Sequence, residues 1–226
     1  TGYTVDARDE LLGQELVRAV EARTLLTAAD FSHTQQGSGS LAELGRSLRA
    51  MGYLTGLPVR YHDAEEMATR FALPLLEFHM SDRDLDLTPS AFIQQPWNEV
   101  VLVVHVVEQY EDGFILDLAS EDNDVLQRSF KEMERLTRHV DQLRLHFSPM
   151  ARVPIVLNIG GFSSDGFMDD EAAAETLSRA VDSLNKLCSA YPGYEFLPQT
   201  MPPFPWHQGG RSFHNLLTSR QRIRDF

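Results

Sequence analysis

The chain has 226 residues, 42% of them hydrophobic, and a formal net charge of −13, from 20 Lys and Arg against 33 Asp and Glu. An acidic surface repels the phosphates of nucleic acids and anionic lipids, so we expect neither nucleic acid nor a membrane as a partner. No stretch approaches the roughly 20 apolar residues of a membrane-spanning helix. The lone Cys188 excludes an internal disulfide and a C-x-x-C zinc site, and it fits a cytoplasmic location.

The beginning of the chain predicts a small helical unit followed by a connector. Apolar residues recur at helical spacing within residues 5–31, and residues 32–40 are rich in Gly, Ser and Gln, which is typical of a flexible linker. We place the main domain boundary there, or at the latest near Gly56. The start at Thr1, with neither an initiator Met nor a signal-peptide pattern, indicates a piece of a longer protein.

Beyond Gly56, predicted strands and helices alternate. The clearest strand, residues 100–107, is an almost continuous β-branched run, as expected for a strand buried on both faces. The predicted strands are residues 57–61, 74–80, 100–107, 154–159 and 194–199, and the predicted helices are residues 63–71, a short one from 88, 124–147 and 169–190.

This alternation predicts an α/β fold with a parallel sheet and right-handed crossovers. A closed (β/α)₈ barrel has eight strands. With about five βα units, the chain is expected to form either part of a barrel, open on one side, or a smaller open sheet.

Polar side chains follow the predicted strands, at the edge where α/β sheets form their sites. Glu77 and His79 end the second strand and point to the same face, which suits a metal, a substrate or an internal ion pair. His105 ends the third strand and is either a site residue or a packed core histidine. The further candidates at strand ends are Glu108, Asn158, Gly160-Gly161 and Gln199.

The loop at residues 200–211 is the other candidate region. Prolines stiffen it, and its His207 and Arg211 suit an anion or a hydroxylated ring. Trp206 either contacts a ligand or covers the rim of the sheet. The Gly160-Gly161 pair either offers backbone N–H groups to a phosphate or forms a tight turn, and it lacks the spacing of a nucleotide-binding loop.

Five segments resemble a known family. PVRYHD, LEFHMSDRDL, LVVHVVE, PIVLNIGGF and FLPQTMPPFPWHQGGRSFHN, within residues 57–215, resemble the xylose-isomerase-like sugar phosphate isomerase/epimerase TIM barrels, of the type fused behind bacterial sialic acid synthase-like proteins. Residues 9–31 resemble the tail of the antifreeze-like (SAF) domain that ends those synthases. The resemblance implies a SAF tail at residues 1–31, a linker at 32–56, and an incomplete TIM barrel at 57–226.

The resemblance also implies a divalent metal, Mn²⁺, Mg²⁺ or Zn²⁺, held at strand ends. His105 matches a histidine after the third strand and is the candidate metal ligand. Asn158 and Gln199 stand where relatives place a histidine and a glutamate, and neutral amides bind divalent cations more weakly. The family's later ligands would lie beyond Phe226, so we expect neither a complete metal site nor activity from this chain alone.

The expected function is isomerisation or epimerisation of a sugar or sugar phosphate, linked to sialic-acid-like nonulosonate biosynthesis. Glu77 and His105 are the expected catalytic residues. The expected sugar-binding residues are His79, Asn158, Gln199, Trp206, His207 and Arg211.

The alternative function is a non-catalytic sugar-binding or scaffolding module that contacts the synthase portion of a longer protein. Clustering of Glu77, His79 and His105 would favour the enzyme, and separate apolar pockets around them would favour the module. The DNA-repair branch of the same superfamily is disfavoured by the net charge of −13.

Overall fold

A computed structural model describes residues 41–71, 73–93, 96–205 and 207–226. The predicted SAF tail at residues 1–31 lies outside the described residues, as does the beginning of the predicted linker. Helix α1, Leu41–Ala50, lies inside the segment 32–56 that the sequence predicts to be a linker. The domain boundaries therefore stay a prediction.

The described chain alternates strands with helices, as predicted. The strands are β1 Gly56–Val59, β2 Leu75–His79, β3 Val101–His105, β4 Val153–Leu157, β5 Phe162–Ser163, β6 Tyr194–Pro198 and β7 Phe213–His214. The helices after α1 are α2 Ala64–Phe71, α3 Asn123–Leu143, α4 Asp170–Ala190, α5 His207–Gly210 and α6 Arg220–Asp225. Short 3₁₀ turns lie at Arg83–Asp86, Pro89–Ala91 and Arg144–His146.

Five strands form one parallel sheet in the order β1-β2-β3-β4-β6, which confirms the predicted α/β class. The short strands β5 and β7 pair with each other in antiparallel orientation. In the five-stranded sheet each strand lies beside the strand that precedes it in the order of the chain. Right-handed crossovers between such strands place the connecting helices on a single face of the sheet.

That helix-covered face holds the core. Leu76, Phe78, Val104 and Ile155 on the strands are at most 1% exposed. The long helices α3 and α4 contribute the rest of this layer, with Met133, Leu136, Val140, Ala180 and Leu187 buried in the same cluster. Burial of this apolar area is the main stabilising contribution to the domain.

The opposite face of the sheet is less covered, which corrects one prediction. Val101 and Val103 of β3 are half-buried, although the sequence predicts that this strand is buried on both faces. On β6, Leu197 is 40% exposed. The strand order explains the difference, because it places the helices on one face only. We call the other side the uncovered face.

Both long helices begin at aspartate caps. Asp122 accepts hydrogen bonds from the backbone N–H groups of Asp124 and Val125, and Asp169 accepts one from Ala172. Such caps pair N–H groups that have no partner inside the helix. Within the described residues, no helix is both long and apolar enough to cross a membrane.

Candidate functional site

Two histidines meet at the carboxyl edge of the uncovered face. The register of the sheet pairs His79, at the end of β2, with His105, at the end of β3. Paired residues of neighbouring strands lie roughly 4.8 Å apart, so their side chains are in contact. The two imidazole rings stack, with centroids 4.5 Å apart and an interplanar angle of 21°.

The first histidine forms a pair with a carboxylate. Nε2 of His79 lies 2.6 Å from Oε1 of Glu77, two residues earlier on the same face of β2. The side chains are 37% and 31% exposed, so the pair is open to solvent. Because Nε2 donates to the carboxylate, Nδ1 is the ring nitrogen that can accept a proton from a ligand.

The second histidine lies deeper, between two acceptor oxygens. His105 is 8% exposed, with Nδ1 lying 3.0 Å from the carbonyl oxygen of Val106 and Nε2 lying 2.6 Å from Oε1 of Gln199. Both partner atoms are hydrogen-bond acceptors, so a ring nitrogen of His105 bonds its partner when it carries a hydrogen. Glu108 fixes the orientation of the Gln199 amide, because its Oε1 lies 3.4 Å from the Gln199 Nε2. The opposite orientation of the amide would bring two acceptor oxygens together.

Gln199 is positioned by the backbone of the sheet. Its N–H donates to the carbonyl oxygen of Leu157 at 2.9 Å, which extends the β4–β6 pairing by one residue. The amide side chain therefore lies on the uncovered face beside His105. Glu108, also within 4.0 Å of the His105 Nε2, completes this part of the site.

These side chains line a cavity of about 510 Å³, formed by Glu77, His79, His105, Glu108, Val156, Gln199, Met201 and Pro202. A second cavity, of about 310 Å³, shares His79, His105 and Glu108 and adds Arg60 and Ser81. Because they share three side chains, we treat them as one site and call it the groove.

A third cavity, of about 350 Å³, lies between α4 and the segment that follows β7. Its guanidinium, Arg222, donates to the carbonyl oxygen of Asn215 and lies 3.6 Å from the Asp170 carboxylate. None of the residues that line this cavity is a histidine, and its carboxylate is paired with a guanidinium that stays charged, so it is a weaker candidate for proton transfer.

Arg60 is the guanidinium at the groove. Its Nη1 lies 3.6 Å from Oδ2 of Asp84. Asp84 in turn accepts hydrogen bonds from the N–H and the hydroxyl group of Ser81, each at 2.7 Å. The charge of Arg60 is thus already balanced by a carboxylate that the loop holds in place.

Helix α3 fixes the loop that follows β2. Arg135 donates to Oδ1 of Asp82 at 2.7 Å and pairs with Asp86 at 2.8 Å. The hydrogen bond from Arg135, together with one from the Glu111 N–H, lowers the pKa of Asp82. The loop that supplies Ser81 to the groove is therefore tied to the rigid helix layer.

The predicted site residue Asn158 lies at the end of β4 but does not line the groove. It is 3% exposed, its Oδ1 accepts the Gly160 N–H at 3.0 Å, and its Nδ2 has no hydrogen-bond partner among the described residues. An enclosed amide cannot reach a ligand in the groove from this position, so its predicted role in sugar binding is not supported by the geometry.

The Gly160-Gly161 pair forms a tight turn. Both residues have positive φ, 89° and 79°, and a Cβ at Gly160 would overlap the Asp117 side chain. The Gly161 N–H donates to Asp117 at 2.9 Å, as does the Ala119 N–H. Burial raises the pKa of Asp117, and the backbone N–H donors oppose that shift. With their N–H groups engaged inside the protein, the two glycines form the turn rather than a phosphate cradle.

The predicted loop residues are only partly described. Trp206 lies outside the described residues, and His207 is described only as the first residue of α5. Arg211 is exposed and is not one of the residues that line the groove. The structure thus brings together Glu77, His79, His105, Glu108 and Gln199. Sequence reasoning missed Arg60, although it directly follows β1 and the same strand-end rule could have found it.

A metal does not fit the described side chains as they stand. Within the described part of the chain, no three His, Cys, Asp or Glu side chains converge to hold a metal ion. Zn²⁺ ligands lie at about 2.0–2.3 Å from the ion, whereas the nitrogens of His105 bond Val106 and Gln199. The metal that the resemblance implies stays a prediction, and we derive no chemical step through it.

No family model matches this chain, and neither a curated protein nor a solved structure is significantly similar to it.

Proposed function

We propose that this chain is part of a sugar isomerase-like (β/α)₈ barrel and that the groove is its proton-transfer site. The observation that carries the proposal is the stacked pair of His79 and His105, with Glu77 bonded to the first and Gln199 to the second. The link to a sialic acid synthase-like protein, and to nonulosonate biosynthesis, is part of the same proposal and rests on the sequence resemblance.

The order of the strands supports the barrel. In a doubly wound sheet the strand order reverses at a switch point and helices cover both faces. Here the order β1-β2-β3-β4-β6 does not reverse, and the uncovered face carries the polar side chains. A barrel has the same arrangement, with its helices outside and its site at the carboxyl ends of the strands.

The chemistry starts with a base. Moving a proton next to a carbonyl group requires a base for the C–H and a donor for the oxygen. In the proposed step, Nδ1 of His79 removes the proton from the carbon beside the carbonyl group, and the Glu77 carboxylate stabilises the resulting imidazolium through Nε2. Glu77 then acts through His79.

The donor is His105. Its Nε2–H now bonds the Gln199 amide oxygen, and the carbonyl oxygen of a sugar would replace that acceptor. The C–H electron pair forms the double bond of an enediolate, and the carbonyl oxygen takes the negative charge. His79 then returns the proton to the former carbonyl carbon, while the hydroxyl proton of the carbon that lost its hydrogen passes to the former carbonyl oxygen. The new carbonyl group thus forms on the neighbouring carbon, and an aldose and a ketose interconvert with no oxidant or reductant.

The stacked geometry favours isomerisation over epimerisation. The two stacked rings project from the same face of the sheet, with centroids 4.5 Å apart, so they reach a ligand from the same side. Returning a proton on the side from which it left suits transfer between adjacent carbons. Inverting a single carbon requires acid and base on opposite sides.

The test is exchange of the sugar's α-hydrogen with solvent. The chain is incubated in D₂O with free aldoses, free ketoses and their phosphates, and loss of the C–H signal is followed by NMR. Exchange reports only the first half of the reaction, which in the proposed step needs no residue outside the groove, so we expect exchange from this chain even though we expect no full turnover. His79→Gln should lower the rate about 100- to 10,000-fold, and Glu195→Gln, an exposed carboxylate of β6 outside the groove, should leave it unchanged.

A sugar-binding module is the second candidate, and the shielding of His105 favours it. Both ring nitrogens already have protein partners and the residue is 8% exposed. Sugar binding without exchange would support the module and exclude the isomerase. Neither binding nor exchange in a folded chain would exclude both.

A further inference from the structure

We infer that the Gln199 amide occupies the position in which the groove binds an α-hydroxycarbonyl group, and that Glu108 accepts a hydrogen bond from the hydroxyl of that group. The inference rests on the proposed function, in which the carbonyl oxygen of a sugar replaces the Gln199 oxygen at His105. It identifies the residue that selects the neighbouring hydroxyl group. It also changes the role of Gln199 from a sugar-binding residue to a side chain that the sugar displaces.

The Gln199 amide joins a donor to an acceptor. Its Oε1 lies 2.6 Å from Nε2 of His105, and its Nε2 lies 3.4 Å from Oε1 of Glu108. The Gln199 Nε2 also lies 3.5 Å from Sδ of Met201, which is a weak acceptor. Because an amide oxygen accepts and an amide nitrogen donates, one side chain bonds both His105 and Glu108.

An α-hydroxycarbonyl group offers the same acceptor and the same donor. Its carbonyl oxygen accepts, and the hydroxyl group on the adjoining carbon donates. Two carbons separate its oxygens, whereas the oxygen and the nitrogen of an amide share one carbon, so the donor of the ligand reaches further. The longer reach suits Glu108, because 3.4 Å from the Gln199 Nε2 exceeds the distance of about 2.7–3.2 Å that is usual for an N–H···O bond.

This position also suits the proposed reaction. A carbonyl oxygen bonded to Nε2 of His105 lies beside the ring of His79, since the two rings stack with centroids 4.5 Å apart. Oε1 of Glu108 lies 4.0 Å from the same Nε2, so a ligand that bonds His105 is within reach of Glu108 as well. A ligand in this position therefore lies next to the proposed base, the proposed donor and the carboxylate.

The Gln199 side chain can leave this position while the sheet stays intact. Its backbone N–H donates to the carbonyl oxygen of Leu157 at 2.9 Å, a bond that does not involve the side chain. Gln199 is half-buried and lines the larger cavity of the groove, so a displaced amide can bond water. An α-hydroxycarbonyl ligand restores both bonds that the amide gives up, whereas a simple ketone restores only the bond to His105.

The experiment compares three small ketones. Hydroxyacetone has the α-hydroxyl group, methoxyacetone keeps the oxygen but has no O–H, and acetone has neither. Each ketone is titrated into the full chain, and its dissociation constant is measured by saturation-transfer NMR.

Three variants are compared with the unchanged chain. Gln199→Ala removes the amide, and Glu108→Met keeps the length of the side chain but has only a weak acceptor. Gln127→Ala is the matched control, because it makes the same change at an exposed position of helix α3 that does not line the groove. Thermal unfolding measures whether each variant folds. If Glu108→Met does not fold, the three ketones and Gln199→Ala still test the inference.

Hydroxyacetone should bind about tenfold or more tightly than either other ketone, as expected for a hydrogen bond to a charged group. Glu108→Met should remove this preference. Gln199→Ala should bind hydroxyacetone about fivefold or more tightly, because the ligand no longer competes with the amide. Gln127→Ala should leave binding unchanged. If Gln199 instead bound the sugar, Gln199→Ala would weaken binding.

Weaker or unchanged binding by Gln199→Ala would overturn the inference, as would equal binding of hydroxyacetone and methoxyacetone. A preference that persists in folded Glu108→Met, or no binding of any ketone, would also overturn it. The exchange assay decides the isomerase proposal separately. Exchange of sugar α-hydrogens without the hydroxyl preference would leave the isomerase standing, whereas the expected preferences without any exchange would support the inference and exclude the isomerase.

Discussion

His79 and His105 lie face to face because the β2–β3 register sets them opposite each other. One ring is paired with a carboxylate and the other with an amide, so neighbouring imidazoles have different hydrogen-bond partners. This difference assigns the roles of base and donor in the proposed reaction.

The stack allows packing to be separated from chemistry. His79→Phe keeps an aromatic ring against His105 but has no nitrogen, so it should abolish α-hydrogen exchange with little loss of stability. His79→Ala should abolish exchange and also lose the ring contact, about 0.5–1.5 kcal/mol. Urea unfolding and the NMR exchange assay measure the two effects. Equal exchange in His79→Phe and the unchanged protein would contradict the assignment of His79 as the base.

Position 160 requires glycine for two reasons, its left-handed backbone conformation and the lack of space for a side chain. Its φ is 89° and an added Cβ would meet Asp117, whereas Gly113 has a similar φ of 85° and open space around it. Gly113→Ala should cost roughly 1–2 kcal/mol, the cost of left-handed backbone for an ordinary residue. Gly160→Ala should cost clearly more. Urea unfolding of the two variants measures the two losses in the free energy of unfolding. Equal losses would contradict the prediction, because they would mean that the Asp117 side chain moves aside without an energetic penalty.

Asp117 should make stability depend on pH. Burial raises its pKa, so the folded state holds the proton more tightly than the unfolded state does. The contribution is therefore fully present below the unfolded pKa of about 3.9 and is lost as pH rises through the folded value. Asp117→Asn cannot ionise and should lack this fall in the free energy of unfolding. Denaturant titrations between pH 3.5 and 7 compare the two, and parallel profiles would contradict the prediction.

His139 should make stability depend on pH in the opposite direction to Asp117. Its Nε2 lies 2.6 Å from the hydroxyl of buried Tyr61, and burial lowers its pKa. Stability from the neutral ring is present above the unfolded pKa of about 6.5 and is lost as pH falls through the folded value. His139→Gln should remove this fall in the free energy of unfolding at low pH.

The hydrogen bond between Tyr61 and His139 gives a separate prediction. Tyr61→Phe should lower the free energy of unfolding by about 1–2 kcal/mol at neutral pH, because it leaves a buried nitrogen without its partner.

Metal binding gives a further test. Because His105 is bonded through both nitrogens, Mn²⁺ or Mg²⁺ titrated calorimetrically into this chain should give no heat that depends on His105. His105→Ala is the matched variant, and the same titration curve is expected for both proteins. Tight binding that disappears in His105→Ala would contradict this expectation. It would mean that His105 binds the metal implied by the sequence resemblance and loses its hydrogen bond to Gln199.

The five strands were predictable because their residues are strongly biased. The β-branched run around Val104 and the apolar run around Ile155 fit no other element of that length. The predicted strand bounds differ from the observed ones by one to two residues at most strand ends. An error of that size in the register changes which residues of neighbouring strands lie opposite each other. The contact between His79 and His105 therefore required the register of the sheet.

Other features depend on contacts between distant parts of the chain. Strands β5 and β7 have two residues each, too few for a periodic pattern, and Asn215 ties them together by donating to the carbonyl oxygen of Gly161 and the hydroxyl of Ser163. The enclosure of Asn158 is likewise set by the turn that follows it. Neither relation is visible in residue order.

The backbone hydrogen bonds of the sheet set the distance between the two imidazole rings. The Met80 N–H donates to the carbonyl oxygen of His105 at 3.1 Å, so the ladder of the sheet continues to the last residue of the pair. Changes in the length of the surrounding loops would leave this spacing intact. The loops after β2, β3 and β6 are therefore suitable places for sequence libraries that alter ligand preference while the reacting groups keep their separation.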